Sequence, residues 1–316
     1  MPPHKAALVV FGANLLSSPV SVANPSSPSA SENRLGILYM VSGMALFTVN
    51  DAMGKWLVES CPVPLILAVR SAAALLILLP LVVKAGFLSV FKVPDPGHHL
   101  LRITLIVAEV ALFYLAVRDL PLADVMTIYM AAPLLVTALS VPLLGEKVGV
   151  RRWIAVGVGF IGVVLVLRPG GDFLSTGTPV ALAGSLTFAL TMISTRSLRG
   201  ASGLTLITTQ TLGVGVAGAA ALPFVWVTPS LLEFTLLGVL GGVALIAHVL
   251  VNRSLKLSPA AVVAPYQYTS LVWAIILGWV FWGDVPDWTV AFGAALIIGS
   301  GLFVFHREQQ LEKAAA

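Results

Sequence analysis

GMALFTVNDAMGK at residues 43–55 returns 141 residues later as GSLTFALTMISTR at residues 184–196. Gly43 meets Gly184, Phe47 meets Phe188 and Lys55 meets Arg196. A second pair keeps nearly the same spacing. LPLADV (120–125) aligns with SPAAVV (258–263), and that offset of 138 carries Gly145-Glu146 onto Gly283-Asp284. The chain therefore reads as two copies of one unit. Between Leu35 and Phe305 lie ten apolar stretches, at 35–57, 62–83, 98–117, 121–144, 152–167, 178–196, 203–226, 231–250, 257–282 and 287–305. Most approach the roughly 20 residues that a helix needs to cross a bilayer. Each copy holds five, and five is odd, so the second copy enters the membrane upside down. The expected fold is an all-α integral membrane protein of ten transmembrane helices, built as two inverted-topology five-helix repeats. Inverted repeats place a substrate site near mid-membrane, between the halves.

Composition agrees. Of 316 residues, 58% are hydrophobic and 10% charged, where a soluble domain carries about 25% charged residues. Mean hydropathy is +0.98. These values exclude a cytoplasmic enzyme, a disordered chain and a nucleic-acid binder, and membrane lipid is the expected surrounding. Strand alternation is absent, which argues against a β-barrel. The single cysteine, Cys61, leaves no internal disulfide and no cysteine-based metal site. The expectation is no metal and no cofactor.

Charge sets orientation. With both termini cytoplasmic, fourteen of the 18 Lys and Arg fall on the inner side, Arg102 among them, and only Arg118 and Arg168 on the outer. That is the positive-inside pattern of a multi-pass protein of the bacterial inner membrane. The chain divides into an extension (1–34), a first repeat (35–168), a second repeat (178–305) and a cytoplasmic tail (306–316). The extension is rich in Ser and Pro after AALVVFGANLL. It reads as disordered or signal-like, with SVA as a cleavage candidate.

Charged groups within spans usually pair or line a wet cavity. Asp51, Lys55, Arg70 and Glu109 are such groups. Asp51 and Lys55 stand four apart on one helix face, beside Asn50. Asp51 or Glu109 reads either as a protonatable group on the pathway or as half of an ion pair, Asp51 with Lys55 or Glu109 with Arg70. His248 reads as a proton relay or as a donor to a backbone carbonyl. Gln210 sits near the position equivalent to Arg70. In the ninth span Tyr266, Thr269 and Trp273 follow helical spacing, with Gln267 and Ser270 beside them, and Tyr129 of the fourth span is expected to face them. Such aromatics with polar neighbours suit a planar, hydrogen-bonding ligand, and equally suit ordinary packing. Trp279, Trp282 and Trp288 read as interfacial anchors. Pro133 and Pro265 are expected to kink their spans. Glu146 and Asp284 read as helix caps or as gates.

The stretches NDAMGKWL (50–57), APLLVTALSVPLLGEKV (132–148) and APYQYTSLVWAIILGWVFWGDVPD (264–287) resemble the drug/metabolite transporter superfamily, EamA type. The resemblance spans about 35–305, and the last stretch is similar to a branch that includes bacterial riboflavin and S-adenosylmethionine uptake proteins. Asp284 stands where the family often has Glu, and Leu271 where the first half has Pro133. The resemblance implies a secondary transporter of a small-molecule substrate working by alternating access, with protons as a candidate coupling ion. Riboflavin or S-adenosylmethionine uptake leads the substrates, and export of amino acids or drugs is the alternative. A homodimer is compatible with it.

An enzyme is not expected. HExxH, Walker A and GxGxxG motifs are absent. GASG (200–203) fits the GxSG form of intramembrane serine proteases, but it falls in a loop. A membrane-embedded enzyme or a non-transporting receptor is the alternative of another class.

Overall fold

The computed structural model describes residues 30–93, 95–144, 148–167, 177–198, 201–258 and 260–315. Their regular structure is helical throughout. In chain order the helices are α1 (Ala30–Val58), α2 (Val63–Ala85), α3 (Pro96–Asp119), α4 (Leu122–Tyr129), α5 (Ala132–Leu144), α6 (Val150–Leu167), α7 (Gly177–Ser197), α8 (Gly203–Ala221), α9 (Leu231–Leu257), α10 (Ala260–Val263), α11 (Thr269–Trp282) and α12 (Trp288–Ala315). Among the described residues nine segments are long and apolar enough to cross a membrane, α4 and α5 counting as one. The tenth expected span, 257–282, is a chain of shorter pieces: α10, a 3-10 turn at Ala264–Tyr268, and α11.

Local chemistry sets several ends. Asp95 caps α3, its carboxylate accepting from the His98 amide at 3.1 Å, and Pro96 opens the first turn, where its missing N–H costs nothing. Ser230 and Glu233 form a reciprocal capping box on α9. Ser202 of the GASG stretch caps α8 by accepting from the Thr205 amide at 3.0 Å. α11 ends at Gly283 with φ of 70°. The Gly283 amide bonds the Trp279 carbonyl and the Asp284 amide bonds the Gly278 carbonyl, a left-handed stop that glycine adopts without strain. The Gly-acid pair thus ends a helix and turns Asp284 toward α1. Glu146, its counterpart, lies outside the described residues.

Some boundaries differ from expectation. α1 already runs at residue 30, inside the expected extension, whose apolar stretch and SVA site lie outside the described residues. α12 continues to Ala315, so the tail begins as helix. Neither Pro133 nor Pro265 kinks a continuous helix. The fourth span breaks at Met130–Ala131, and Pro133 sits in the first turn of α5, while Pro265 sits near the start of the 3-10 turn. Pro80 and Pro142 instead lie inside α2 and α5.

Packing follows a pseudo-twofold axis. The most extensive contacts are α1 with α9, α3 with α7, α2 with α8 and α6 with α12. Exchanging the halves turns α1 against α9 into α7 against α3, and leaves the other two pairs unchanged. The broken segments obey the same exchange: α11 packs on α1, while α4 and α5 pack on α7. Thr48 of α1 donates to the Ser270 carbonyl at 3.3 Å, and Ser185 of α7 donates to the Ile128 carbonyl at 3.0 Å. Each break therefore has a carbonyl held by a hydroxyl of the other half. Leu57, Ile66, Tyr114, Leu134, Leu237 and Ile297 fill the core. Leu76, Ile154, Ile161, Val216 and Phe281 face outward, an apolar exterior suited to lipid.

Candidate functional site

A cavity of about 620 Å³ opens between α2, α3, α7, α8 and α9, so both halves contribute walls. Ligand sites commonly span roughly 300–1,000 Å³. Its lining includes Arg70, Arg102, Glu109, Phe188, Thr191, Thr195, Gln210 and His248. These positions run from mid-helix toward the end of the molecule where α3 begins. At the other end, the turn that carries Cys61 joins α1 to α2.

Arg70 donates to the hydroxyl of Tyr114, and its guanidinium lies 5.5 Å from that ring's centre. Tyr114 is itself fully buried against Gly54 of α1, which fixes where Arg70 reaches. Asp51, Glu109 and Arg70 form one electrostatic group. Among the described residues no ion pair within 4.0 Å joins Glu109 to Arg70 or Asp51 to Lys55. His248 places Nδ1 at 2.8 Å from the Ala244 carbonyl and packs edge-on against Phe47. A carbonyl only accepts, so Nδ1 carries a proton, and in the neutral ring Nε2 keeps its lone pair.

Lys55 has another partner. Its ammonium donates to the Leu120 carbonyl at 2.8 Å, lies 3.8 Å from Asp284 Oδ2 and sits 5.2 Å from the Trp282 ring centre. Trp282, expected as an interfacial anchor, donates from Nε1 to Glu59 Oε1 at 3.1 Å. Trp279 and Trp288 are exposed. Lys55, Glu59, Trp282 and Asp284 thus tie the two halves together at the Cys61 end, away from the cavity.

The remaining candidates are scattered. Asn50 is 3% exposed and donates to the Leu240 carbonyl at 2.7 Å, tying α1 to α9. Tyr129 packs against Phe113 and Phe188 with its hydroxyl buried and without a hydrogen-bond partner. Among the described residues no ring contact joins it to the ninth span's aromatics. Tyr266 and Gln267 are exposed, and the carbonyl of Tyr266 accepts from Thr269 at 2.6 Å. Trp273 buries an unpartnered Nε1. None of these, nor Asp51 or Lys55, lines the cavity. The spacing of 266, 269 and 273 presumes one continuous α-helix, and the 3-10 turn breaks that register.

Arg102 is the reverse case. It reads as an inner-loop cation in the sequence, yet it is 6% exposed and forms part of the cavity wall. Nε donates to Thr195 Oγ1 at 2.9 Å, Nη2 to Gln210 Oε1 at 2.8 Å, and Nη1 reaches the Leu206 carbonyl at 3.5 Å. The signal lay in spacing: Arg102 and Glu109 are seven apart, two turns on one helix face.

The EamA-like transporter family pattern matches residues 34–168 and again 175–306. A riboflavin transporter of Rhizobium johnstonii is 26% identical over 89% of this chain and 94% of its own. An S-adenosylmethionine uptake transporter of Rickettsia bellii is also 26% identical, over 87% and 95%. The pseudopaline exporter CntI of Pseudomonas aeruginosa is 28% identical over 83% and 93%. A crystal structure 18% identical in sequence shares the fold with a TM-score of 0.59, over 90% of this chain and 99% of that one. Two matched repeats, an all-helical body and a cavity between the halves agree: the chain belongs to the EamA-like transporter family.

Proposed function

We propose that the protein is a secondary carrier of the bacterial inner membrane, with both termini cytoplasmic, that takes up a small metabolite by alternating access. The observation that carries this reading is the cavity walled by both repeats, with charged side chains inside and the Lys55–Asp284 contact tying the halves at one end. In this orientation the cavity lies in the cytoplasmic half and the tied end is periplasmic. That is the arrangement of a carrier facing inward. Riboflavin and S-adenosylmethionine head the substrates, because transporters of both resemble the chain over most of its length. Glu109, with Asp51 behind it, is the candidate for proton coupling. Lipid surrounds the apolar exterior, and a homodimer is compatible with it. Export is the second reading, favoured by the similarity to CntI.

The test is accumulation of labelled riboflavin and S-adenosylmethionine in proteoliposomes, with and without an imposed proton gradient. Saturable uptake of one compound, absent from empty vesicles, is expected. Saturable movement of neither compound in either direction would sink the uptake reading for these substrates.

A further inference from the structure

Arg102 is a cation buried with no carboxylate within 4.0 Å among the described residues. Burying an unpaired guanidinium is unfavourable unless a counter-charge arrives. Neutral acceptors hold it in place: Thr195, Gln210 and, at long range, the Leu206 carbonyl. A guanidinium has five N–H donors, so donors remain for a ligand. Four residues before Thr195 on α7, Thr191 lines the same cavity and its Oγ1 is buried without a hydrogen-bond partner. The wall thus holds a fixed positive charge and a spare hydroxyl donor.

The nearby charges restrict the ligand. His99, one turn before Arg102, places Nε2 at 2.9 Å from Thr209 Oγ1, and its Nδ1 is buried without a hydrogen-bond partner. Glu109 lies on the same helix face, roughly 10 Å along the axis at 1.5 Å per residue, beside Arg70 and Asp51. A dianion would meet these carboxylates. A single carboxylate on Arg102, with a neutral or cationic remainder toward Glu109, meets none.

We propose that Arg102 and Thr191 form an anion subsite that binds a carboxylate of the transported molecule, so that the carrier selects carboxylate-bearing metabolites over neutral ones. This rests on the carrier reading. Of the two substrate classes that head it, S-adenosylmethionine carries such a group and riboflavin does not.

The test is thermal stabilisation of the purified full-length chain by matched compounds: S-adenosylmethionine against its decarboxylated form, methionine against methioninamide, and riboflavin. The expected result is that S-adenosylmethionine stabilises at a concentration about tenfold or more below its decarboxylated form, the range of a charge-assisted hydrogen bond. Arg102→Gln should erase the difference and Arg102→Lys should recover part of it. Thr191→Val should weaken it while folding normally, which guards against a merely unstable arginine variant. Equal stabilisation by acid and decarboxylated or amide forms, or stabilisation by riboflavin alone, overturns the subsite. So does a lack of stabilisation by any carboxylate compound. Failure of the carrier reading shows separately, as absence of vesicle accumulation. Saturable vesicle uptake of riboflavin by the unmodified chain, with none of S-adenosylmethionine, would refute the subsite and leave the carrier intact.

Discussion

Gly241→Ala is expected to damage the protein, and Gly238→Ala, one turn earlier on α9, is expected not to. A Cβ at 241 would fall 2.2 Å from the Arg70 carbonyl oxygen and 3.1 Å from the Ala74 amide nitrogen. Ordinary contact begins at 3.4 Å, so the two backbones must part by about 1.2 Å. Such overpacking costs about 1–3 kcal/mol. The displaced carbonyl belongs to Arg70, so the guanidinium and its bond to Tyr114 move with it. A Cβ at 238 meets nothing within 4 Å. Alanine there gains helix propensity, about 0.8–1 kcal/mol in a soluble helix interior. The assay is thermal unfolding of the detergent-solubilised protein, read by size-exclusion fluorescence, alongside substrate uptake. A lowered midpoint and reduced uptake are expected for Gly241→Ala, with Gly238→Ala at or above wild type. Equal midpoints for the two variants would refute the close approach of α2 and α9, and with it the placement of Arg70.

Four further outcomes follow from the geometry. Asn50→Ala removes the bond to the Leu240 carbonyl and should cost about 0.6–1.7 kcal/mol, as hydrogen bonds between membrane helices do; an unchanged thermal midpoint would deny that tie. Glu109→Gln should raise the half-saturating substrate concentration, because Glu109 lines the cavity, whereas Asp51→Asn should chiefly lower the rate; identical kinetics in the two mutants would reject the distinction. Cys61, the chain's one cysteine and 2% exposed, should react slowly with a membrane-impermeant maleimide, and faster in Lys55→Gln as the halves loosen. Burial also pushes its thiol above the ordinary range, so the rate should still climb with pH where a free thiol has levelled off; labelling as fast as free cysteine would contradict both points. Ser202→Ala removes a helix cap and should lower stability by about 0.5–2 kcal/mol without changing uptake per folded molecule, whereas lost uptake at normal folding would revive a chemical role for GASG.

The sequence carried the architecture because its signals are long-range and redundant. Apolar length marks the spans, and two aligned pairs of stretches mark the repeat. It carried the cavity less well. In a soluble helix the polar face points to water and the apolar face inward, so periodicity names the buried side. In α3 and α7 both faces are apolar, and the pattern does not say which meets lipid and which meets a cavity. Arg70, Glu109, Gln210 and His248 were visible because polar residues are conspicuous in such helices. Arg102 was hidden because it sits near a helix start, where the same residue type also signals orientation. Helical spacing alone offers Asp51 as the partner of Lys55. Its ammonium instead lies beside Asp284, 229 positions away, a proximity that depends on the left-handed stop at Gly283. An α-helical period groups the aromatics of 266–273, and the chain departs from that period in the 3-10 turn up to Tyr268.

The twofold relation between the halves also describes a state of the molecule other than this one. In an inverted repeat, reversal of facing amounts to each half taking up the conformation of the other. Four cavity residues come from α7: Phe188, Thr191, Met192 and Thr195. The offset of 141 sends them to Phe47, Asn50, Asp51 and Gly54 of α1. The exchange predicts a chamber walled by α1 in place of α7, with Asp51 open to substrate on the opposite side. Asp51→Cys, in a chain with Cys61→Ser, should then be protected by substrate from labelling on the Cys61 side alone; protection from neither side would break the exchange.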